Sequence, residues 1–207
     1  MGQYYKALTV DTETRSKVTS FATSWNYNNG AKLMEHSYIQ NNFVEAFETT
    51  LINNPQVVVW AGDYADAEVD ADGNDIQEPG EGSYADRMFD VNLYGMCKDK
   101  EELKRGDVCV ALPIIENKIK HTHRYIINHD TKQFVDKKDF KESSNWQIHP
   151  LPLLTADGNN RGGGDFREGN PGFDQVGIWK RNLISVTSRK TNIPKGFTQL
   201  KVDFREI

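Results

Sequence analysis

The chain lacks the features that would assign it to a membrane or to an export pathway. Its longest apolar runs, at 57–62 and 108–115, are too short to span a bilayer. The first six residues, MGQYYK, do not begin the apolar run of a signal peptide, and position 6 is not the Ser or Thr that favours myristoylation. We therefore expect a soluble cytoplasmic protein with no membrane partner.

Cysteine is scarce, and catalytic signatures are missing. Cys97 and Cys109 are the two cysteines of the 207-residue chain. They cannot build a structural zinc site without histidine partners, and without an export signal we expect buried thiols rather than a disulfide. The sequence contains no Gly-x-Ser-x-Gly elbow, no Walker loop and no dinucleotide fingerprint. It therefore names no reaction and leaves any cofactor unknown.

The chain also lacks the basic excess of a general nucleic-acid binder. Its net charge is −5, made up of −10 over residues 1–115 and +5 over residues 116–207. The two halves could simply attract each other, or the basic half could meet an anionic ligand. An imbalance this small argues against general nucleic-acid binding.

What the sequence does contain predicts an α+β fold with a largely antiparallel β-sheet in a single domain over 1–207. Apolar residues at helical spacing predict one main amphipathic helix at about 37–53, with Ser37 as N-cap and Gln40 three residues on. A second helix is predicted at about 83–96. Strands that follow one another without helices imply antiparallel pairing. They are predicted at 3–11, 16–24, 57–60, 108–115, 123–128, 133–136, 146–154, 176–187 and 197–204.

Five segments carry a resemblance: MGQYYK at 1–6, LMEHSY at 33–38, WAGDYAD at 60–66, HPLPLL at 149–154 and RGGGD at 161–165. Together they resemble a family of uncharacterised proteins from bacteria and their phages. The resemblance implies a single domain and a bacterial or phage source, and it is consistent with a role in the conflict between phage and host. It supplies no catalytic residue.

The glycine-rich segment at 155–172 is the first candidate for a ligand site. It holds six glycines and two arginines in eighteen residues. Glycines let backbone N–H groups converge on an anion, and arginines can add bidentate contacts to phosphate or carboxylate. We predict a small anionic ligand, of phosphorylated or nucleotide type, with an aromatic side chain stacked on a base. The predicted ligand-binding residues are Arg161, Gly162, Gly163, Gly164, Asp165 and Arg167, with Trp60 and Tyr64 for stacking. The alternative is a long loop that joins two strands.

A hydrolase is the second hypothesis. His36 precedes the main helix, and imidazole titrates near neutral pH, which suits a general acid or base. Asp63 and Asp66 follow a buried strand, where a sheet can hold a carboxylate rigidly and where the two could share a metal. The pair His121 and His123 lacks a third ligand of obvious position, and the acidic run at 68–78 lacks the closing glutamate of a calcium loop. No resident metal is therefore predicted.

A protein partner is the third hypothesis. Residues 63–90 carry ten carboxylates and one arginine, which could form an acidic contact surface of the kind found on inhibitors. Of the three hypotheses, ligand binding comes first, because the glycines and arginines are evident in the sequence whereas a complete acid–base or metal set is not.

Overall fold

The structure is a computed structural model that describes residues 3–66, 92–97, 123–140, 142–143, 146–158 and 166–205. Within these ranges it has the α+β architecture expected from the sequence, with a mostly antiparallel sheet and few helices. None of the described helices combines the length and the apolar character needed to cross a membrane.

The elements are as follows. The strands are β1 Tyr5–Val10, β2 Val18–Ala22, β3 Gln56–Gly62, β4 Tyr125–Asn128, β5 Gln133–Asp136, β6 Glu142–Ser143, β7 Trp146–Gln147, β8 Ala156–Asp157, β9 Asn182–Thr187 and β10 Thr198–Gln199. The α-helices are α1 Asn42–Thr50, α2 Leu93–Met96 and α3 Pro150–Leu154. Short 3₁₀ turns follow β2, β5, the glycine-rich segment and β9.

Strand β3 lies inside the main sheet, whose order among the described strands is β10-β5-β4-β9-β3-β1-β2. Over residues 57–62 β3 pairs antiparallel with β1. On its other side it pairs antiparallel with β9 over residues 56–58, and then parallel with β8 over Trp60 and Ala61. The second parallel pair joins β10 to β5. The two-stranded sheet β6–β7 is separate.

The sheet is covered on both faces, as the apolar run of β3 predicts. Val58 and Trp60 point into a core formed with α1 and α3, whereas Val57, Val59 and Ala61 point into a second core that includes α2. Successive side chains of a strand point to opposite faces, so a strand buried on both faces is apolar at every position. A third, smaller cluster of Tyr125, Ile127 and Phe134 packs against Ile193 and Phe197.

The main helix is shorter than predicted. It begins at Asn42 rather than near residue 37, because Asn41 is the N-cap and its side chain accepts the N–H of Val44. Gln40 has a φ of +73°, which a right-handed helix cannot contain. Ser37 does not cap the helix, since its carbonyl accepts the N–H of His149 beside a bridge between Tyr38 and Ile148. Of the second predicted helix, only α2 falls within the described residues.

The segment predicted as a strand at 146–154 forms a strand only at its start. After β7, His149 caps α3 by accepting the N–H of Leu151, and Pro150 occupies a first-turn position where its missing N–H costs nothing. Strand β9 begins later than predicted, because Gly177 and Arg181 have positive φ. The segment predicted as a strand at 197–204 contributes only β10, and the one at 108–115 lies outside the described residues.

The Asn41 cap gives a first test of the fold. The Asn41 side chain is buried; it accepts the Val44 N–H at 3.1 Å and donates to the His36 carbonyl at 2.9 Å. We expect Asn41→Ala to lower the free energy of unfolding by about 1–2 kcal/mol in a urea titration. The control is Asn42→Ala, one residue on and exposed, which should change stability by less than about 0.5 kcal/mol. Equal effects of the two substitutions would contradict the cap.

Candidate functional site

The parallel pair β3–β8 brings two of the predicted segments to one edge of the sheet. Gly62 ends β3 and Asp157 ends β8, so Asp63 and Gly158 leave the sheet side by side. Both glycines also touch Gln3: a side chain at Gly62 would lie 2.2 Å from its Nε2, and one at Gly158 would lie 3.0 Å from its Oε1. The end of β3 and the start of the glycine-rich segment are therefore neighbours.

The segment that contains His36 reaches the same edge of the sheet on the far side of β1, two strand positions from β3. The N–H of Tyr5 donates to Ala31, on the side of β1 opposite β3. At strand spacings of about 4.8 Å, the backbone at Ala31 lies roughly 14 Å from that at Asp157. The His36 ring packs over Gly30, and its Nδ1 accepts the Lys32 N–H at 3.3 Å. The segment that contains His36 is therefore at the same edge of the sheet, about three strand spacings from β8.

The two aspartates predicted as catalytic differ in their surroundings. Asp63 is buried, and its Oδ1 accepts the Tyr4 N–H at 3.0 Å, which ties the start of the chain to the end of β3. Its backbone is held as well, because the carbonyl accepts the side-chain amide of Asn92. Asp66 is exposed. The hydrogen bond from the Tyr4 N–H to Asp63 stabilises the turn after β3. This structural role is the alternative to the predicted catalytic role of Asp63.

The two aromatic residues predicted for stacking lie in different places. Trp60 is only 2% exposed, and its ring packs against Phe43 and Phe47 at centroid distances of 5.4 and 5.5 Å. Trp60 is therefore a core residue whose ring is not accessible to a base, and it does not belong to the predicted ligand site. Tyr64 is half-buried just beyond the end of β3, close to the edge described above.

The glycine-rich segment is anchored at both ends. At its start, the Thr155 carbonyl accepts the Trp60 N–H at 2.9 Å. At its far end, Phe166 is buried against Phe204. Arg167 is exposed. Arg161, Gly162, Gly163, Gly164 and Asp165 lie outside the described residues, so their predicted contacts stay a prediction.

Two cations share one carboxylate where this segment begins. Asp157 accepts Lys180 Nζ at 3.2 Å and Arg181 Nη2 at 3.1 Å. The Arg181 guanidinium also donates to the Arg15 carbonyl at 2.8 Å, which fixes its position. The Lys180 side chain is 53% exposed. We call Asp157, Lys180 and Arg181 the basic foot; its formal charge is +1. Sequence reasoning missed the foot because it depends on contacts between β8 and the turn before β9.

A second group of polar side chains is buried inside the larger core. Glu45 and Glu48 lie on α1, Lys137 follows β5 and His149 caps α3. Lys137 Nζ lies 2.7 Å from Glu48 Oε2, 3.5 Å from Glu45 Oε1 and 3.4 Å from His149 Nε2. Glu48 and His149 have no exposed surface. We call these four residues the buried cluster.

The protonation of His149 follows from its hydrogen bonds. Its Nδ1 accepts the Leu151 N–H at 3.2 Å, so the ring proton is on Nε2, which lies 3.4 Å from Glu48 Oε1. A doubly protonated ring could not accept that bond. With a neutral imidazole, two carboxylates and one ammonium, the buried cluster has a formal charge of −1.

Ion pairing in the buried cluster outweighs the cost of desolvation for one carboxyl. Burial by itself raises the pKa of Glu48, but the ammonium of Lys137, 2.7 Å from Glu48 Oε2, holds it well below the ordinary 4.5. Glu48 therefore stays ionised in the core.

Sequence reasoning did not find the buried cluster. The spacing of Glu45 and Glu48 places them on adjacent turns of α1, but charged residues in a helix normally face water. Lys137, 89 residues beyond Glu48, places a cation beside both carboxylates, and the Gln40 N–H also donates to Glu45 Oε1 at 3.3 Å. The His149 ring faces Glu48 and Lys137, whereas His121 lies outside the described residues.

The ligand atoms of Glu45, Glu48 and His149 lie within 4.8 Å of one another, which is close enough for a metal ion. They form the one such group found among the described residues.

No family model, no curated protein and no solved structure matches the chain. The sheet edge where β3 and β8 end and the buried cluster are therefore the two candidate sites of function.

The low pKa of Glu48 makes stability depend on pH. A carboxyl whose pKa is lower in the folded state stabilises the protein above its unfolded pKa, and that contribution is lost as pH falls toward the folded value. We expect Glu48→Gln to lower the free energy of unfolding by about 3 kcal/mol at neutral pH, because it leaves the Lys137 ammonium with less compensation in the core. The difference from the wild type should shrink as pH falls from about 4.5 to about 2.

Urea titrations at several pH values, in the presence of a chelator, measure this difference. The matched control is Glu35→Gln, which removes an exposed ion pair with Lys32 and should cost less than about 1 kcal/mol. A Glu48→Gln effect that stays the same size between pH 7 and pH 2.5 would show that Glu48 is not held ionised by Lys137.

Proposed function

We propose that this protein binds a small anionic ligand, of phosphorylated or nucleotide type, at the sheet edge where β3 and β8 end. The observation that carries the proposal is the parallel pairing of β3 and β8. Ligands of sheets with parallel strands commonly bind beyond the carboxyl ends of those strands, where loops meet. Here Tyr64 and Gly158 follow the two strand ends, and Asp157 at the end of β8 binds Lys180 and Arg181.

The charges at this edge support an anion. Lys180 and Arg181 place two cationic side chains beside Asp157, and the exposed Lys180 ammonium can reach solvent. Arg181 is held in place by the Arg15 carbonyl, so it would lose little side-chain freedom on binding. Arg167 adds an exposed cation at the far end of the segment. Under this proposal Tyr64, rather than the buried Trp60, is the stacking residue.

The two other hypotheses gain less from the structure. For a hydrolase, both predicted catalytic side chains already accept a backbone hydrogen bond. His36 accepts the N–H of Lys32, and Asp63 accepts the N–H of Tyr4. For a protein partner, the acidic stretch 63–90 lies mostly outside the described residues. A role in the conflict between phage and host would suit a small-molecule binder, and it stays part of the proposal.

Ligand-induced thermal stabilisation tests the proposal. A ligand at 100 times its dissociation constant stabilises a protein by about 2.7 kcal/mol, which shifts the melting temperature by several degrees. We expect at least one compound in a panel of nucleotides, cyclic nucleotides and sugar phosphates to raise the melting temperature of the wild type. The shift should be reduced in Lys180→Ala and abolished when Arg161 and Arg167 are both replaced by alanine.

The control for these variants is Lys195→Ala, which removes the same charge from an exposed position after β9 and should keep the full shift. Retention of the shift in all the variants would contradict the proposed site. The absence of a shift across the whole panel would contradict the proposed ligand class.

A further inference from the structure

We propose that Glu45, Glu48 and His149 form a binding site for a divalent transition-metal ion, and that the Lys137 ammonium occupies the same position when the metal is not bound. The site is separate from the sheet edge and does not depend on the function proposed there. Two carboxylates and one imidazole suit Mn²⁺, Fe²⁺ or Zn²⁺ better than Ca²⁺, which prefers oxygen ligands alone.

The position of Lys137 is the first argument. Its Nζ lies between the three donor groups, at 2.7 Å from Glu48, 3.4 Å from His149 and 3.5 Å from Glu45. A cation therefore already occupies the centre of the set. Its long unbranched side chain can turn away, and it is the most exposed of the four side chains, at 7%.

The charge of the buried cluster is the second argument. By themselves the four side chains carry a formal charge of −1, and buried carboxylates are stabilised by positive charge beside them. Replacing the ammonium by a dication brings the formal charge to zero, and it releases Lys137 to solvent. Protonation of His149 could not bring the formal charge to zero, because its Nδ1 already accepts the Leu151 N–H.

An unsatisfied oxygen is the third argument. Glu48 Oε1 is fully buried and accepts no hydrogen bond within the described residues; His149 Nε2 lies 3.4 Å from it. Buried carboxylate oxygens are normally hydrogen-bonded, because leaving one unsatisfied costs about 1–3 kcal/mol. A metal ion between Glu48 and His149 would use this oxygen.

Metal binding would also require a change in the hydrogen bonding of His149. Coordination by His149 Nε2 requires its proton to leave that nitrogen, and a proton placed on Nδ1 would break the 3.2 Å bond from Leu151. The competing explanation is a purely structural ion pair, which would bind no metal in any variant.

Metal binding to the chelator-stripped protein distinguishes the two explanations. The probes are Mn²⁺, followed by the loss of the free-ion resonance signal, and Zn²⁺, counted by native mass spectrometry. We expect one equivalent to bind the wild type. The dissociation constant should fall by about tenfold or more in Lys137→Met, where the metal no longer displaces an ammonium 2.7 Å from its ligand. The gain should disappear in the double variant Lys137→Met with Glu48→Gln.

The controls guard against unfolding and stray histidine sites. Circular dichroism must show that each variant is folded, and His129→Asn should bind as much metal as the wild type, because His129 contacts Ser185 elsewhere in the fold. If Lys137→Met does not fold, the comparison of wild type with Glu48→Gln decides the question. Equal metal binding by variants with and without Glu48, or no binding by a folded Lys137→Met, would overturn the proposal.

Discussion

The pairing of β3 is the constraint on which the rest of the structure depends. Residues 57–62 pair with β1 on one side, the strand pairs with β9 and then β8 on the other, and both of its faces are buried. Every side chain from Val57 to Ala61 therefore has to be apolar, and each large one fixes an element above or below the sheet. Trp60 orients α1 through Phe43 and Phe47. The opposite face holds α2 through Leu93. The sheet edge of the proposed ligand site exists because β8 takes over from β9 halfway along β3.

Local signals allowed much of the sheet to be predicted. The run at 57–60 and the turn after Asn128 determine their own structure, because burial on both faces and a tight turn leave traces in neighbouring residues. Prediction failed where a distant segment decided the outcome. Ser37 looks like a helix cap, but its backbone bonds to His149, over a hundred residues away in the chain. The alternation of Pro and Leu at 150–154 resembles a strand, yet the cap at His149 and the position of Pro150 produce a helix.

The same reasoning explains what could be predicted of the two sites. Glycines and arginines identified the segment at 155–172, since composition alone indicates where backbone can approach an anion. Composition could not show that β3 and β8 run parallel, nor that Lys180 and Arg181 share Asp157. Nor could it show that Trp60 faces inward. The buried cluster left almost no signal, because glutamates on a helix are ordinary and only Lys137, from another part of the chain, distinguishes these two.

The two sites are joined through α3. His149 contributes its ring to the buried cluster and its Nδ1 to the first turn of α3, so the state of the ring is coupled to the start of that helix. Five residues later α3 ends at Leu154, and β8 leads directly to the basic foot. A helix of this length spans about 7.5 Å, which leaves little room to absorb a shift at its N-terminus. The hydrogen bond from the Leu151 N–H to His149 therefore connects the geometry of the buried cluster to a short, fully buried helix that leads into the segment at 155–172. The charged side chains in the core thus have a structural role as well, because they hold the ring that caps this helix.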